Sequence, residues 1–269
     1  MQNKMNNKLF KDICKKIRQR IVKSLYLAEG GHAGPSLSIV EILAYLYFDR
    51  KILSPKKYEK FVLSKGHAAP ALYAALNLAG KLSSKELNSL RKINSKLQGH
   101  PDRKLIKDVH AGTGALGQGL SMTIGFAIAE KLKKTKKKTF CIIGDGEMQE
   151  GQIWEAAMYA GASKINNICV ILDNNKMQNE TYTKSTLDIY PIKEKWLAFN
   201  WNVYEINGHS YGQIKNAFTK FYKSRSKPTL IISNTTKGKG ISFMENDPSW
   251  HSKKINKDDF EKAIKEIQI

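Results

Sequence analysis

The sequence contains few cysteines and no long hydrophobic run. Its three cysteines, Cys14, Cys141 and Cys169, are widely spaced and form no motif. Such a set builds no disulfide framework and is typical of a reducing compartment, so we expect a cytoplasmic protein. No apolar stretch approaches the roughly 20 residues that a membrane-spanning helix needs. Residues 1–30 also lack the uninterrupted apolar segment of a signal peptide, so we expect no membrane partner.

Acidic residues are scarce relative to basic ones. The chain has 45 lysines and arginines against 24 aspartates and glutamates, a formal net charge of +21. Such an excess raises the possibility of nucleic-acid binding. However, the lysines are spread along the chain, and the densest run, "KLKKTKKKT" (131–139), lies between a helix-like segment and a strand. Since no binding motif accompanies the charge, we expect no nucleic-acid partner and leave open an attraction for anionic substrates or for an acidic partner chain.

The N-terminal segment predicts a basic amphipathic helix. Apolar residues recur there every four positions, at Leu9, Ile13, Ile17, Ile21 and Leu25. A transit peptide or membrane-surface helix has the same pattern, but an acidic residue within it and the immediate run into "LAEGGHAG" favour a helix integral to the fold. No internal repeat and no linker rich in Pro, Gly or Ser divides the chain, so we expect residues 1–269 to form a single domain.

The remaining pattern alternates helix-like and strand-like segments. This alternation predicts an α/β fold with a doubly wound, mostly parallel sheet that is covered by helices on both faces. The predicted strands cover 61–66, 139–144, 167–173, 202–207 and 229–233. The predicted helices cover 116–134, whose small and apolar residues indicate deep burial, 150–164 and 211–224.

Polar residues follow the predicted strands. Asp145 closes one strand, Asn174 and Asn175 close the next, and His209 and Lys237 follow the last two. Ligands of open parallel sheets bind beyond the carboxyl ends of the strands. The sequence therefore predicts a polar edge of the sheet where a ligand binds.

The stretch "IIGDGEMQEG" (142–151) places Asp145 between two glycines. An aspartate there either caps the following helix or binds a cation. Mg²⁺ prefers oxygen ligands, and a carboxylate, the amide of Asn175 and a nearby backbone carbonyl suit an ion that also holds a diphosphate. Gly144 and Gly146 allow phosphates to approach the backbone and the helix N-terminus. For an isolated motif, the cap is the simpler interpretation.

The motif is not isolated. The pattern "GDG", followed after about thirty residues by "NN", resembles the cofactor signature of thiamine-diphosphate enzymes. Five further stretches resemble transketolases and span nearly the whole chain: "GGHAGPSLS" (30–38), "LSKGHAAPALYAAL" (63–76), "QGHPD" (98–102), "GTGALGQGLSMTIGFAIAEK" (112–131) and "NTTKGKGISFMENDPSWHSK" (234–253).

This resemblance implies a role for particular residues. Mg²⁺ is expected to bind the side chains of Asp145 and Asn175 and the backbone carbonyl of Met177. The cofactor is expected to contact His67, Gly114, Ala115, Leu116, Gly146, Asn175, Lys237 and His251. The family's substrate channel is lined by histidines that match His32, His100 and His251, which we therefore expect to be catalytic. His110 and His209 have no such match and stay unassigned.

Some positions depart from the family pattern or carry a weaker assignment. Glu150 and Glu155 resemble glutamates at the family's subunit interface, although their spacing does not place them squarely on one helix face. The departures are Ala33 and Pro35 in the "GHP" opening, Gly112 at a frequent serine, Lys176 at a glycine common in full-length enzymes, and Ser252 after the Trp-His pair. These departures bear on the expected sugar specificity more than on the expected cofactor.

The resemblance covers only the first of three transketolase domains. The pyrimidine-binding and C-terminal domains have no counterpart here, so we expect a separately encoded subunit to supply them, in an α2β2 assembly acting on sugar phosphates. The alternatives are a subunit of a 2-oxo acid dehydrogenase or of a deoxyxylulose-phosphate synthase, and a catalytically silent relative. The sequence leaves the acceptor sugar and the pathway open, including the pentose phosphate pathway.

Overall fold

The computed structural model describes residues 5–268. Its strands are β1 (Lys60–Leu63), β2 (Thr139–Gly144), β3 (Ile168–Asn174), β4 (Met177–Gln178), β5 (Thr181–Tyr182), β6 (Asn202–Asn207) and β7 (Thr229–Asn234). Its α-helices are α1 (Asn7–Leu27), α2 (Ala33–Leu37), α3 (Val40–Ala44), α4 (Ala69–Leu78), α5 (Ser84–Leu87), α6 (Gln118–Leu132), α7 (Gly151–Ala162), α8 (Thr183–Thr186), α9 (Ile192–Ala198), α10 (Tyr211–Lys223) and α11 (Lys257–Gln268). Short 3₁₀ turns cover Gly66–Ala68, Gly146–Gln149 and Pro248–His251.

The central sheet is five-stranded, in the order β1-β2-β3-β7-β6. Every neighbouring pair in it is parallel, so the carboxyl ends of all these strands meet at one edge. The register places Gly144 level with Asp173, and Asn174 level with Asn234. The ends of β2, β3 and β7 therefore coincide, while β4 and β5 form a separate antiparallel hairpin just beyond β3.

Helices cover both faces of this sheet, as the alternating pattern predicts. Phe140 and Ile142 of β2 pack into a core with α1, α3, α4, α10 and α11. Cys141 and Ile143 of the same strand pack into a second core with α6, α7 and α9. Burial on both faces explains why β2 is a continuous apolar run rather than an alternating one. The predicted doubly wound α/β fold is confirmed.

Helix α1 is integral to the fold, but Leu9, the first of its predicted apolar positions, lies outside the buried stripe in the first two turns. Phe10 and Cys14 are buried there, whereas Leu9 is 37% exposed. A spacing of four residues drifts against the 3.6 residues of a helical turn, by about 160° between Leu25 and Leu9. The actual buried stripe therefore switches to the neighbouring apolar positions towards the N-terminus.

The predicted burial of α6 is also only partly correct. Leu120 and Ile124 are fully or nearly fully buried against the sheet, but Met122 is 36% exposed, and Ser121 and Gly125 are exposed as well. One apolar face of this helix is therefore in contact with solvent. Among residues 5–268, no helix combines the length and the apolar character that crossing a bilayer demands.

Candidate functional site

The carboxyl ends of β2 and β3, the loop after β7 and helix α2 surround a cavity of about 300 Å³. Most of the predicted site residues meet here. Those that line the cavity are His32, His67, Gly114, Leu116, Asp145, Gly146, Asn175, Met177, Lys237 and His251. The parallel register explains the convergence, because residues far apart in sequence follow strands that end at the same level.

Asp145 lies at the floor of the cavity and is 2% exposed. Its Oδ1 accepts a hydrogen bond from the backbone N–H of Gly146 at 2.8 Å, so it caps the 3₁₀ turn Gly146–Gln149. Its Oδ2 accepts from the backbone N–H of Lys176 at 2.5 Å. Burial, together with the nearby Asp173 carboxylate, raises the pKa of Asp145 to about 7. The cap and the cation-binding interpretations are thus compatible, since a bound cation stabilises a buried carboxylate.

Asn175 is oriented by its neighbours. Its Oδ1 accepts from the backbone N–H of Met177 at 3.0 Å, and its Nδ2 donates to Oδ2 of Asp173 at 3.0 Å. Asp173 is fully buried and also accepts from Ser38 and Lys65. Burial raises the pKa of Asp173, but the Lys65 ammonium and the hydrogen bonds from Lys65, Thr235 and Ser38 together outweigh burial and hold this pKa below its ordinary value. The buried Lys65–Asp173 ion pair therefore supports the amide of Asn175.

Sequence reasoning missed both members of this ion pair, and also Glu147. The buried Glu147 carboxylate accepts from the hydroxyl of Ser64 and from the backbone N–H groups of Gly117 at 2.9 Å and Gly144 at 3.0 Å. It thereby joins the end of β1, the start of α6 and the end of β2. The available signal was a second acidic residue, two positions after Asp145, in the "GDGEM" stretch.

The residues at this floor fit a metal-bound diphosphate. Among residues 5–268, no group of three or more His, Cys, Asp or Glu side chains is arranged to hold a metal ion by itself. Asp145 and Asn175 supply one carboxylate and one amide oxygen, which suits an Mg²⁺ whose other ligands come from phosphate, carbonyl and water. Gln178 also lines the cavity, and its buried Oε1 has no hydrogen-bond partner among the described residues.

Lys237 supplies positive charge to the same cavity. It is 1% exposed, and its Nζ donates to the backbone carbonyl of Asn179 at 2.8 Å. Burial, reinforced by the positive charge of Lys65, lowers the pKa of the Lys237 ammonium to about 8. A buried ammonium whose hydrogen-bond partner within residues 5–268 is a carbonyl favours an anionic ligand.

Three histidines stand together above the floor. The ring centroids are 5.3 Å apart for His32 and His67, 5.1 Å for His32 and His251, and 5.2 Å for His67 and His251. Burial and then the surrounding positive groups lower the pKa of His32 to about 4 and of His251 to about 3, and bring the pKa of His67 well below its ordinary value. All three are therefore neutral near pH 7 and each carries one donor and one acceptor nitrogen.

His100 and Ala115 lie beside the cavity rather than in its lining. Both line an adjacent depression of about 460 Å³, to which Gly114 also contributes. The His100 ring is 6.3 Å from that of His32, so it extends the histidine cluster outward. Ala115 lines this outer depression, whereas its neighbours Gly114 and Leu116 line the cavity.

Other positions have a local explanation. Lys176 has a φ of 66°, the left-handed conformation that glycine adopts most readily, which explains a glycine there in full-length relatives. A side chain at Gly112 meets only the Pro101 carbonyl oxygen at 3.6 Å, so a serine fits. Glu150 lines the cavity, whereas Glu155 is exposed on α7.

Comparison with known proteins agrees with this geometry. Residues 10–268 match the family described as "Transketolase, thiamine diphosphate binding domain". The chain belongs to the transketolase family. It is similar to a subunit of the apulose-4-phosphate transketolase of Phocaeicola vulgatus, with 38% identity over 94% of this chain and 91% of that protein. It is also similar to "6-deoxy-6-sulfo-D-fructose transketolase subunit SqwG" of a Clostridium species, with 40% identity over 88% of each.

The solved transketolase of Campylobacter jejuni has the same fold over this domain. It superposes with a TM-score of 0.92 at 30% identity and covers 98% of this chain, but this chain covers only 43% of that one. The chain therefore corresponds to less than half of that transketolase, but to most of the length of the two similar transketolase subunits.

Proposed function

We propose that this chain is the N-terminal subunit of a two-subunit, thiamine-diphosphate-dependent transketolase, with residues 1–269 forming one cofactor-binding domain. The observation that carries the proposal is the cavity in which Asp145 and Asn175 meet three neutral histidines. The match to two proteins that are themselves transketolase subunits, along most of their own length, supports the division into separate chains.

In this proposal the floor of the cavity binds the diphosphate through Mg²⁺. Asp145 and Asn175 coordinate the ion with side-chain oxygens, and Met177 with its backbone carbonyl. Gly146 would lie against the diphosphate, and Lys237 would add a positive charge. His67, His251 and the turn of Gly114, Ala115 and Leu116 would contact the rest of the cofactor.

The histidines bind the sugar. The bound cofactor supplies the carbon nucleophile by which a two-carbon ketol unit passes from a ketose phosphate to an aldose. His32, His100 and His251 hydrogen-bond the hydroxyls of the donor and hold or release protons at its oxygens. Neutral imidazoles suit this task, since each offers a donor and an acceptor nitrogen.

A partner completes the enzyme. The proposed partner carries the pyrimidine-binding and C-terminal domains, in a cytoplasmic α2β2 assembly without nucleic acid or membrane. The depression at His100 and the exposed apolar face of α6 leave room for it. The 2-oxo acid dehydrogenase and deoxyxylulose-phosphate synthase alternatives have no specific observation in their favour.

The test is reconstitution. We expect the purified chain to bind thiamine diphosphate with Mg²⁺ and to transfer a ketol unit from xylulose 5-phosphate only when a partner subunit that carries the pyrimidine-binding and C-terminal domains is added. Efficient transfer by the chain alone would contradict the split. Preference for pyruvate as the donor would instead favour the other thiamine-diphosphate enzymes, and an inactive complex that still binds cofactor would favour a silent relative.

A further inference from the structure

His209 holds the segment that carries Lys237. We call residues 235–247, which follow β7, the lysine loop. The backbone N–H of Thr236, next to Lys237, donates to Nε2 of His209 at 2.9 Å. His209 itself lies after β6, and its own backbone N–H donates to the side chain of Asn207 at 2.9 Å. The histidine thus connects two neighbouring strand ends.

This contact determines the tautomer of His209. A backbone N–H is always a donor, so Nε2 must be the acceptor and the ring proton lies on Nδ1. Nδ1 is 2.9 Å from Oε2 of Glu41 in α3, a carboxylate that accepts this proton in a hydrogen bond. Both ring nitrogens are therefore used within the protein.

Glu41 continues the connection to α1. Its Oε1 accepts from Nη2 of the buried Arg18 at 2.6 Å. Burial alone would raise the pKa of Glu41, but Arg18 and then His209 outweigh burial and hold it below its ordinary value. The carboxylate is therefore ionised and paired on both oxygens.

Arg18 brings the chain of contacts back to the lysine loop. Its Nε donates to the backbone carbonyl of Lys239 at 2.8 Å. Gly240 follows with a φ of 93°, and a Cβ there would lie 2.6 Å from Nε of Arg18. His209 and Arg18 therefore form hydrogen bonds with the loop on either side of Lys237, and Glu41 joins these two side chains to each other.

The stability of the folded chain is by itself a weak reason for these buried contacts among Arg18, Glu41 and His209. Replacing a buried ion pair with apolar residues of similar volume is often neutral or stabilising. What apolar residues cannot do is fix the positions of a particular N–H and a particular carbonyl. Both groups fixed here belong to residues close to Lys237, which lines the cavity.

We propose that Arg18, Glu41 and His209 form a positioning relay, which sets the backbone of the lysine loop so that Lys237 meets the anionic end of the bound ligand. The relay rests on the proposed function, because it acts on diphosphate binding. None of its members lines the cavity, so each is a positioning residue.

Two substitutions of His209 separate its two hydrogen bonds. In His209→Asn, the amide nitrogen takes the place of Nδ1 and keeps the bond to Glu41, but no acceptor reaches Thr236. In His209→Gln, the longer side chain carries its oxygen to the place of Nε2 and keeps the acceptor. We expect His209→Asn to weaken thiamine diphosphate binding with Mg²⁺ by about fivefold to tenfold, and His209→Gln by less than about threefold. His110→Gln, at another buried histidine, is the control with unchanged affinity.

A double-mutant cycle with Lys237→Met tests whether the relay acts through Lys237. The dissociation constant is measured by tryptophan fluorescence. The melting temperature is measured on the same samples. We expect His209→Asn to weaken cofactor binding in the chain that keeps Lys237. In the Lys237→Met background, we expect it to weaken cofactor binding by less than about twofold. An equal loss in both backgrounds, or no loss in either, overturns the relay.

Two further measurements keep the test decisive. A long-range ¹H–¹⁵N spectrum of the wild-type chain should show His209 as the Nδ1–H tautomer, and an Nε2–H tautomer overturns the relay. Should His209→Asn not fold, Arg18→Lys keeps the charge beside Glu41 and removes the bond to Lys239, with the same expected loss of affinity. A wild-type chain that binds no cofactor even with its partner overturns the proposed function and the relay together, whereas wild-type binding with an additive cycle overturns the relay alone.

Discussion

The backbone N–H of Lys176 donates to Oδ2 of Asp145 across 2.5 Å. This bond joins the loop after β3 to the end of β2, and so holds the carboxylate beside the amide of Asn175. The left-handed conformation of Lys176, with a φ of 66°, accompanies this bond. The conformation of one exposed lysine therefore supports the proposed metal site.

Two substitutions of Lys176 should differ in whether they keep this hydrogen bond. Lys176→Gly keeps the N–H and adopts the left-handed conformation without strain, so we expect the free energy of unfolding to change by less than about 1 kcal/mol. Lys176→Pro removes the N–H and fixes φ near about −65°, so we expect at least about a tenfold loss of cofactor affinity. Urea denaturation measures the free energy of unfolding, and calorimetric titration with thiamine diphosphate and Mg²⁺ measures the cofactor affinity. Equal affinities of Lys176→Pro and the wild-type chain would show that the bond is dispensable.

Asp145→Asn should abolish the effect of Mg²⁺ on cofactor binding while the chain still folds. The amide keeps the size of the side chain but loses the charge that a divalent ion needs, so we expect a loss of about 100-fold or more. The increase in melting temperature on adding Mg²⁺ and thiamine diphosphate should disappear. Asp258→Asn, at an exposed position of α11, is the matched control. An Asp145→Asn chain that keeps its Mg²⁺ dependence would remove Asp145 from the metal site.

His110 should make the chain less stable in mild acid. It is 5% exposed, and burial, followed by the charge of Lys60, lowers its pKa from 6.5 to about 4. The unfolded chain therefore binds a proton that the folded chain excludes, and stability is complete above about pH 6.5 and falls as the pH drops towards about 4. The expected loss from this group between about pH 8 and pH 5 is about 2 kcal/mol. Urea unfolding at both pH values should show a smaller difference for His110→Gln, and identical differences would refute the assignment.

Two glycines on neighbouring helices should respond oppositely to alanine. A Cβ at Gly161 in α7 would lie 1.7 Å from the carbonyl oxygen of Phe199, so Gly161→Ala should cost about 3 kcal/mol or more. A Cβ at Gly125 in α6 meets nothing within 4 Å, so Gly125→Ala should stabilise the chain by up to about 1 kcal/mol through helix propensity. Urea denaturation measures the free energy of unfolding of both variants. A change of the same sign in both would contradict the close packing of α7 against the Phe199 carbonyl.

The parts of the fold that local patterns specify could be predicted from the sequence. Strands β2 and β6 begin and end at the predicted residues. β2 is a continuous apolar run between a threonine and a glycine, and β6 is bounded by an asparagine at each end. The meeting of Asp145 and Asn175 followed from one general property, the shared edge of parallel strands. Helix α6 begins two residues later than predicted, at Gln118, because Gly117 before it is left-handed.

Features that depend on contacts between distant segments could not be predicted. The Lys65–Asp173 ion pair and the Arg18–Glu41 pair join residues whose sequence surroundings carry no sign of a partner. The separation of His100 from the cavity lining depends on how the turn at Gly114 packs, and no motif describes that packing. The exposed face of α6 looked like core in the sequence, since an apolar composition does not distinguish a buried helix from one whose face is left for another chain.

Glu147 gives the site a further property. One carboxylate accepts from Ser64, Gly117 and Gly144, which belong to three segments that meet only after the sheet has assembled. None of these segments can detach without leaving the buried charge short of a partner. The amides of Gly117 and Gly144 should therefore exchange with deuterium at the same slow rate, as members of one cooperative unit.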